Sequence, residues 1–301
     1  MNMLDCAIIG GGPAGLNAAL VLGRARRNIV LFDHAKPRNA VTHESHGFIT
    51  RDGVSPSEFR SFAHDDLRKY PSITIHNTEI VRIEKTSESA FQLQTQNGET
   101  FSAKKVILAT GLKENLPNVP GIYDMYGKSL FSCPYCDGWE LRDQPLVLIA
   151  ENKHGAHMAK VISQWSKDLI VCTNGLSIIP EEDKAMLQQY DIRVVEEKIA
   201  KLEGSAGILK TVILKNGEEL ARTGGFVITE LSQTHHFASS LGYKTDDNGG
   251  IKIDNLGRTS IPGLYAAGDS TIAGPSQLIL AAAHGSLAAI GVNSDLTMEA
   301  F

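Results

Sequence analysis

"CAIIGGGPAGLNAALVLGRARRNIVLFD", residues 6–33, predicts the first part of the fold. It reads as a buried apolar strand, a glycine turn, an amphipathic helix and a second strand. Gly10, Gly12 and Gly15 form a G-x-G-x-x-G motif between the first strand and the helix. In such a turn the first glycine allows the tight bend and the second lets the backbone approach a pyrophosphate. The third lets the helix pack closely against the strand.

Asp33 closes the second strand, 18 residues beyond Gly15. A carboxylate at that place can bond the ribose hydroxyls of a dinucleotide. A glycine turn of purely structural use is the alternative, but here the strand, the helix and the acid stand in register. The motif therefore predicts a dinucleotide site made by Gly10, Gly12, Pro13, Ala14, Gly15 and Asp33.

Composition limits the classes of protein that need to be considered. The chain has 301 residues, enough for one large domain or two medium ones, and its 42% apolar and 21% charged content is typical of soluble globular proteins. A net charge of −5 argues against nucleic acid as a partner. We expect no membrane span, because no apolar run is long enough, and the first residues lack the features of a signal peptide. Four cysteines do not make a disulfide scaffold, so we expect a cytoplasmic protein.

Two of the four cysteines, Cys133 and Cys136, stand close together in "FSCPYCDGWE", residues 131–140. Their spacing fits half of a zinc site, two inert thiols or a redox pair. A zinc site needs about four ligands, whereas the other two cysteines lie in separate apolar strands. His43 and His46 form an H-x-x-H pattern without further ligands at a useful spacing, so we expect no metal. In a reducing compartment such a pair is more often catalytic or metal-binding than structural.

Two later stretches identify the family that this chain resembles. "KKVILATG", residues 104–111, is an apolar strand closed by Ala-Thr-Gly. "TSIPGLYAAGDSTIAGPSQLILAAAHG", residues 259–285, is a strand ending in Gly-Asp and followed by an alanine-rich helix. With the first glycine motif and Cys-x-x-Cys-Asp-Gly, they resemble the low-molecular-weight thioredoxin reductases over nearly the whole chain. The resemblance implies that the N-terminal fold binds FAD.

The same resemblance extends the predicted FAD site. It implies that Asp269 bonds the ribityl chain and that the helix after it, with Gln277, points its N-terminus at the isoalloxazine. Arg38 and Asn39 would contact the flavin or its phosphates, and the neighbourhood of Val81 would touch the adenine. The residues assigned to FAD in this way are Arg38, Asn39, Val81, Thr110, Gly111, Gly268, Asp269, Gln277 and Leu278.

The resemblance also implies roles for the residues of the cysteine motif. Cys136 would face the flavin, Cys133 would exchange with the substrate, and Asp137 would move the proton that thiol chemistry requires. His284 lies on the helix after Gly268-Asp269, where a base could help to deprotonate a dithiol. It could equally be a packed or surface histidine.

The alternation of strands and helices predicts an α/β fold with two Rossmann-like dinucleotide-binding domains, the second inserted into the first. The FAD-binding domain would comprise residues 1–116 and 232–301. The inserted NAD(P)H-like domain, residues 117–231, would carry the cysteine pair. The resemblance further implies a homodimer.

The inserted domain departs from the family where NADPH should bind. After the strand "PLVLIA", Ala150 and Asn152 replace the first two glycines of the second motif, and Glu151 adds a carboxylate. No arginine occurs between Arg142 and Arg193, although basic residues should hold the 2′-phosphate. The stretch "VITELSQTHH", ending at residues 235–236, replaces a glycine-histidine turn. We expect this domain to keep the fold without ordinary NADPH binding.

The sequence therefore predicts an FAD-dependent thiol/disulfide oxidoreductase whose substrate is a small dithiol or a thioredoxin-like protein. Its other electron partner would be oxygen, as in gliotoxin-type dithiol oxidases, or else ferredoxin or another flavoprotein. Two alternatives stay open: an NADPH-dependent thioredoxin-disulfide reductase with an unusual nucleotide site, and a non-catalytic flavin redox sensor.

Overall fold

The computed structural model describes residues 3–87, 90–234, 237–271 and 276–301; His235 and His236 lie outside this part of the chain. Its strands are β1 Leu4–Ile9, β2 Ile29–Phe32, β3 Ile73–His76, β4 Ile80–Ser87, β5 Ala90–Thr95, β6 Thr100–Leu108, β7 Leu112–Asn115, β8 Leu130–Phe131, β9 Leu146–Ile149, β10 Leu169–Cys172, β11 Arg193–Val195, β12 Ile199–Ser205, β13 Ile208–Leu214, β14 Glu219–Ala221, β15 Gly224–Val227, β16 Glu230–Gln233 and β17 Leu264–Ala266. Its helices are α1 Pro13–Arg24, α2 Pro56–Leu67, α3 Ile122–Met125, α4 Pro134–Asp137, α5 Gly155–Ile162, α6 Glu181–Gln188, α7 Ala238–Leu241 and α8 Leu278–Met298.

The chain divides into two compact units. The first unit consists of Met1–Ala40, Gly47–Lys113 and Ser232–Phe301, and the second of Val41–His46 and Glu114–Leu231. Residues 41–46, which lie within the first predicted domain, thus group with the second unit. Within the described residues no helix combines the length and the apolar character needed to cross a bilayer.

A parallel sheet in the order β3-β2-β1-β6-β17 forms the centre of the first unit, and β5 and β4 continue from β6 in antiparallel fashion. Side chains of β1 alternate between two cores. Cys6 and Ile8 pack with residues of α1 and α8, while Ala7 and Ile9 pack in the cluster on the other face. Because both faces are covered, the strand needs an unbroken apolar sequence.

The contact between α1 and α8 brings two helix backbones close together. A Cβ atom on Gly285 would lie 2.0 Å from the carbonyl oxygen of Ala14. Beside this point, Asn17 Nδ2 donates to the carbonyl oxygen of Ala282 over 2.8 Å. Glycine at position 285 therefore sets how closely α8 approaches the helix that begins at the glycine turn.

The second unit repeats the same architecture on a smaller scale. Its parallel sheet has the order β11-β10-β9-β15-β8, with α5 and α6 packed on it through Ala159 and Leu187 against Leu148. Strands β12, β13 and β14 form a separate antiparallel sheet, and β7 pairs with β16. Both units are thus built on Rossmann-like parallel sheets, and the predicted α/β fold class is confirmed.

Replacing Gly285 with alanine should destabilise the first unit. The added methyl group must push α8 away from Ala14, and overpacking of this kind costs roughly 1–3 kcal/mol. Urea unfolding measures the loss. Ala283→Ser, at an exposed position on the same helix, should change the free energy of unfolding by less than about 0.5 kcal/mol. Equal stability of the two variants would contradict the tight helix contact.

Candidate active site

The three glycines of the first motif differ in whether the surrounding backbone excludes a side chain. Gly10 has a φ of +109°, and a Cβ atom there would lie 2.2 Å from the carbonyl oxygen of Ala109. A Cβ atom on Gly15 would lie 1.8 Å from the carbonyl oxygen of Gly10. Gly12 has a φ of −78°, which suits any residue, and a Cβ atom there would meet nothing within 4 Å. The chain itself thus requires the first and third glycines but not the second, which leaves open space at the N-terminus of α1.

Asp33 follows the last residue of β2 and is only 3% exposed. Its Oδ1 accepts a hydrogen bond from the backbone N–H of Ala35 over 2.9 Å, and its Oδ2 accepts from the Arg60 guanidinium. Arg60 lies on α2 and also donates to the carbonyl oxygen of Gly11 over 2.8 Å. Arg60 was not predicted, because no local spacing connects it with the glycine motif.

A pocket opens beside this turn, at the carboxyl ends of β1 and β2. Its lining consists of Ile9, Gly10, Phe32, His34, Thr78, Glu79, Ile80 and Thr110. The buried Thr78 hydroxyl has no hydrogen-bond partner among the described residues, so a polar ligand group would satisfy it. Thr110, which the sequence assigned to FAD, lines the pocket. Val81 does not line it and is 51% exposed, so its neighbours 78–80 are the better candidates for adenine contact.

The other residues assigned to FAD also follow the carboxyl ends of parallel strands. Asp269 comes three residues after β17 and pairs with Arg38 Nη2 over 2.7 Å. Asn39 follows in a short helical turn over Arg38–Val41. Gly268 has a φ of +71°, and Gly111, with a φ of +66°, accepts a hydrogen bond from Thr234.

Helix α8 begins shortly after this segment. Gln277 is its N-cap, Leu278 is its first residue, and residues 272–275 lie outside the part of the chain that is described. Pro13 and Ala14 open α1, and Ala14 contacts Gly268 and Gly285. On α8, the buried Nδ1 of His284 finds no partner in the described ranges.

Cys133 and Cys136 form a disulfide in the second unit, with 5.3 Å between their Cα atoms. Cys133 is the N-cap of α4, and its carbonyl oxygen accepts from the N–H groups of Cys136 and Asp137 at 3.1 Å each. Both cysteines are half-buried. Just before them, Ser132 Oγ donates to Glu114 over 3.0 Å. The prediction that these two cysteines can form a disulfide is confirmed.

The other two cysteines, Cys6 and Cys172, are free thiols buried in strands. Burial raises the pKa of the Cys172 thiol to about 12 and that of Cys6 further, so both stay protonated. Among the residues that the structure describes, no group of three or more His, Cys, Asp and Glu could hold a metal ion.

The carboxyl group of Asp137, next to Cys136, has a raised pKa. Burial, and secondarily the negative charge of Glu140, raise the pKa of its carboxyl from 3.8 to about 7, against a lowering contribution from His46. His46 Nε2 lies 3.7 Å from Glu140 Oε1 and 3.5 Å from Glu44 Oε2. A carboxyl that titrates near neutral pH can both give and take the proton of a thiol.

In the second unit, the turn after β9 corresponds to the glycine turn of the first unit. Side chains of the protein bond one another at this turn. Asn174 Nδ2 donates to Glu151 Oε1 over 2.5 Å, and Asn174 Oδ1 accepts from the N–H of Ile199 over 3.0 Å. This links the carboxyl ends of β9 and β10. Ala150 is fully buried, and a Cβ atom on Gly155 would lie 3.0 Å from its methyl group.

The chain matches the family model described as "Pyridine nucleotide-disulphide oxidoreductase" over residues 4–285. Thioredoxin reductase aclD of Aspergillus oryzae is 30% identical, with 99% of this chain and 98% of that protein covered. The crystal structure of TrxB from Bacillus anthracis is 47% identical in sequence, with 99% of this chain and 100% of that chain covered and a TM-score of 0.95. The crystal structure of thioredoxin reductase from Streptococcus pyogenes is 25% identical, with 99% of each chain covered and a TM-score of 0.90.

This chain belongs to the pyridine nucleotide-disulphide oxidoreductase family, and within it to the proteins of thioredoxin reductase type. It is therefore a disulfide oxidoreductase enzyme, and the family implies FAD as its cofactor. The first unit fits that cofactor on two observations, the open space above Gly12 and the unpaired Thr78 hydroxyl in the adjoining pocket. The alternative of a non-catalytic sensor finds no support in these relatives.

Gly12→Val should yield a folded protein that binds FAD at least roughly tenfold more weakly, because the side chain fills the space meant for the pyrophosphate. The ratio of flavin to protein absorbance after purification measures the loss. Ala25→Val, at an exposed position just after the other end of α1, is the matched control and should keep its FAD. Full FAD in the Gly12 variant would show that the cofactor lies elsewhere.

The Asp137 carboxyl should titrate near pH 7, and its two charged neighbours should move that value in opposite directions. Glu140→Gln removes a nearby negative charge and should lower the pKa. His46→Gln removes the electrostatic contribution that lowers the pKa and should raise it, each change being on the order of one pH unit. Carbon-13 NMR of labelled carboxyl groups follows the titration, with Asp137→Asn to assign the signal. His43→Gln, at an exposed position, is the control, and the same pKa in the His43 and His46 variants would refute the role of His46.

Proposed function

We propose that this enzyme moves electrons between a thiol substrate and FAD through Cys133 and Cys136, without ordinary use of NADPH. The main support for the absence of ordinary NADPH use is the Glu151–Asn174 hydrogen bond, which joins the carboxyl ends of β9 and β10. In a Rossmann-like unit this is the place of the nucleotide. Dioxygen is the acceptor that we favour, so that the reaction is oxidation of a dithiol.

A pyrophosphate at this turn would meet a carboxylate. Two like charges 4 Å apart repel by about 1 kcal/mol in water and about 4 kcal/mol at an effective dielectric constant of 20. Moving Glu151 away would break its bond to Asn174, and a hydrogen bond to a charged group contributes about 1.5–3 kcal/mol. Glu151 either stays and repels the ligand or moves and loses its bond, so the smaller of the two costs applies. NADPH binding should therefore be weakened by roughly tenfold to a hundredfold, since about 1.4 kcal/mol corresponds to a factor of ten.

The 2′-phosphate of NADPH also lacks its usual partner. Arginines bind phosphate well because their fork of N–H groups contacts two oxygens at once. The sequence has no arginine between Arg142 and Arg193. Arg193 itself bonds both carboxylate oxygens of Glu218, at 2.6 and 3.0 Å. The Arg193 guanidinium is thus already paired with Glu218.

The cysteine pair can carry the thiol chemistry with its own groups. One sulfur of a substrate dithiol attacks Cys133, which breaks the Cys133–Cys136 bond and forms a mixed disulfide. The second substrate sulfur then displaces Cys133, so the substrate leaves as a disulfide and two electrons and two protons remain on the cysteines. Asp137, largely protonated below pH 7, can give its proton to the departing Cys136 thiolate. FAD held by the first unit would supply the two-electron acceptor that lets the cysteines return to the disulfide, with dioxygen as the final oxidant and hydrogen peroxide as its product.

An NADPH-dependent thioredoxin reductase is the second candidate. The names of the relatives from Aspergillus oryzae and Streptococcus pyogenes favour it. It shares the cysteine chemistry and differs in the electron donor and the direction of flow. A homodimer in the cytoplasm remains our expectation for either function.

Anaerobic stopped-flow mixing separates the two candidates. We expect dithiothreitol to bleach the flavin rapidly and air to restore it, while NADPH at micromolar concentration bleaches it slowly or not at all. Cys133→Ser and Cys136→Ser should keep FAD and lose the reaction with the dithiol. Bleaching by micromolar NADPH within milliseconds would overturn the proposal in favour of the thioredoxin reductase. Glu151→Gln should improve the apparent affinity for NADPH roughly tenfold if the carboxylate is one cause of its exclusion.

A further inference from the structure

Arg60 joins two parts of the FAD site that are distant in sequence. Its guanidinium contacts the Asp33 carboxylate and donates through Nη1 to the carbonyl oxygen of Gly11 over 2.8 Å. The Arg60 side chain is 16% exposed and that of Asp33 is 3% exposed, so water screens the pair poorly. One side chain thus binds both the acidic end of β2 and the middle of the glycine turn.

We propose that Arg60 is a positioning residue for FAD, which holds Asp33 and the Gly11–Gly12 peptide in the orientation that the adenosine ribose and the pyrophosphate require. The inference rests on the FAD site of the proposed function and adds a residue to it. Arg60 acts through Asp33 and the turn, and does not itself take part in the redox chemistry.

The first argument concerns charge. A buried carboxylate without a partner is costly, and beside a pyrophosphate it would also repel the ligand. The guanidinium compensates this charge. An ionised carboxyl group has about four acceptor sites, and in Asp33 the N–H of Ala35 and the Arg60 fork occupy one on each oxygen. With these two bonds made within the described residues, the carboxylate keeps acceptor sites that can bond the two hydroxyls of a ribose.

The second argument concerns the direction of one peptide group. In a trans peptide the C=O and the N–H point in opposite directions. Arg60 binds the carbonyl oxygen of Gly11, so the N–H of Gly12 in the same peptide group points away from Arg60. Glycine flanks this peptide on both sides and would otherwise allow it to rotate. The hydrogen bond therefore fixes a backbone donor at the N-terminus of α1, where an anion is favoured.

Two features of helix α2 favour the pairing of Arg60 with Asp33. Its helix α2 starts at a capping box in which Ser55 and Glu58 bond each other's backbone N–H groups, which fixes the position of the first turns. One turn beyond Arg60, burial and then the positive charge of Arg60 lower the pKa of His64. His64 is consequently neutral at pH 7 and does not compete for the carboxylate.

The experiment compares Arg60→Gln and Arg60→Lys with Arg68→Gln, a control on an exposed arginine just beyond the same helix. Binding of FAD, ADP and FMN to the full-length apo-protein is measured by calorimetry, and melting of the apo-protein reports on its fold. Arg60→Gln should weaken FAD and ADP by the same factor, roughly 10- to 100-fold, and weaken FMN less, because FMN lacks the adenosine ribose and keeps only one phosphate. Arg60→Lys keeps the positive charge but not the two-pronged guanidinium, and its loss of affinity should be smaller. A merely structural role would weaken all three ligands equally and lower the melting temperature.

A double-mutant cycle with Asp33→Asn tests whether Arg60 acts through the carboxylate. In the Asp33→Asn background Arg60→Gln should cost less than about threefold in FAD affinity, because the partner is already altered. The same cost in both backgrounds, or ADP binding equal to that of Arg68→Gln, would overturn the proposal. Failure of the unaltered protein to bind FAD would instead refute the assignment of the FAD site.

Discussion

The contact between the end of β1 and the start of α1 is the constraint on which the first unit depends. Gly15 lies so close to Gly10, and Gly10 so close to Ala109, that no side chain fits at either glycine. This approach places the N-terminus of α1 at the carboxyl edge of the sheet. Asp33, Thr110 and Asp269 follow the ends of neighbouring strands at that same edge. A parallel sheet gathers polar residues in this way because its strands all end on one side, so the turn and the topology together define the ligand site.

The second unit has the same topology but a different electrostatic character. At the corresponding turn Gly155 still lets α5 approach Ala150, so the packing role of the third glycine is kept. The position that faces the ligand differs from that of the first motif, since the Glu151 carboxylate stands at this turn. Under the function proposed above, packing and ligand binding are thus separable in this fold, because the sequence retains the first and loses the second.

The sequence was sufficient for the features that depend on local pattern. Residues 6–33 predicted strand, turn, helix and strand in the order observed, because a buried parallel strand and a glycine turn leave a short-range signal. It did not reveal Arg60, whose contacts with Gly11 and Asp33 span 49 and 27 residues of sequence. It also gave no partners for His46, whose H-x-x-H pattern was not expected to bind metal and which the fold places beside Glu140 and Glu44. Such pairings arise from tertiary packing alone.

The state of the polar groups near the glycine turn distinguishes the first unit from the second at the corresponding place. In the first unit the buried Thr78 hydroxyl and the His284 Nδ1 lack partners among the described residues, and the space above Gly12 is unfilled. Each is a small cost in the protein alone that a ligand would remove. In the second unit Glu151 and Asn174 satisfy each other, so a nucleotide would have to break an existing bond before it formed its own. Binding free energy is a difference between states. A cleft whose polar groups are already paired gains less from the same ligand, and this difference is the physical basis for the proposal that the second unit does not bind NADPH in the ordinary way.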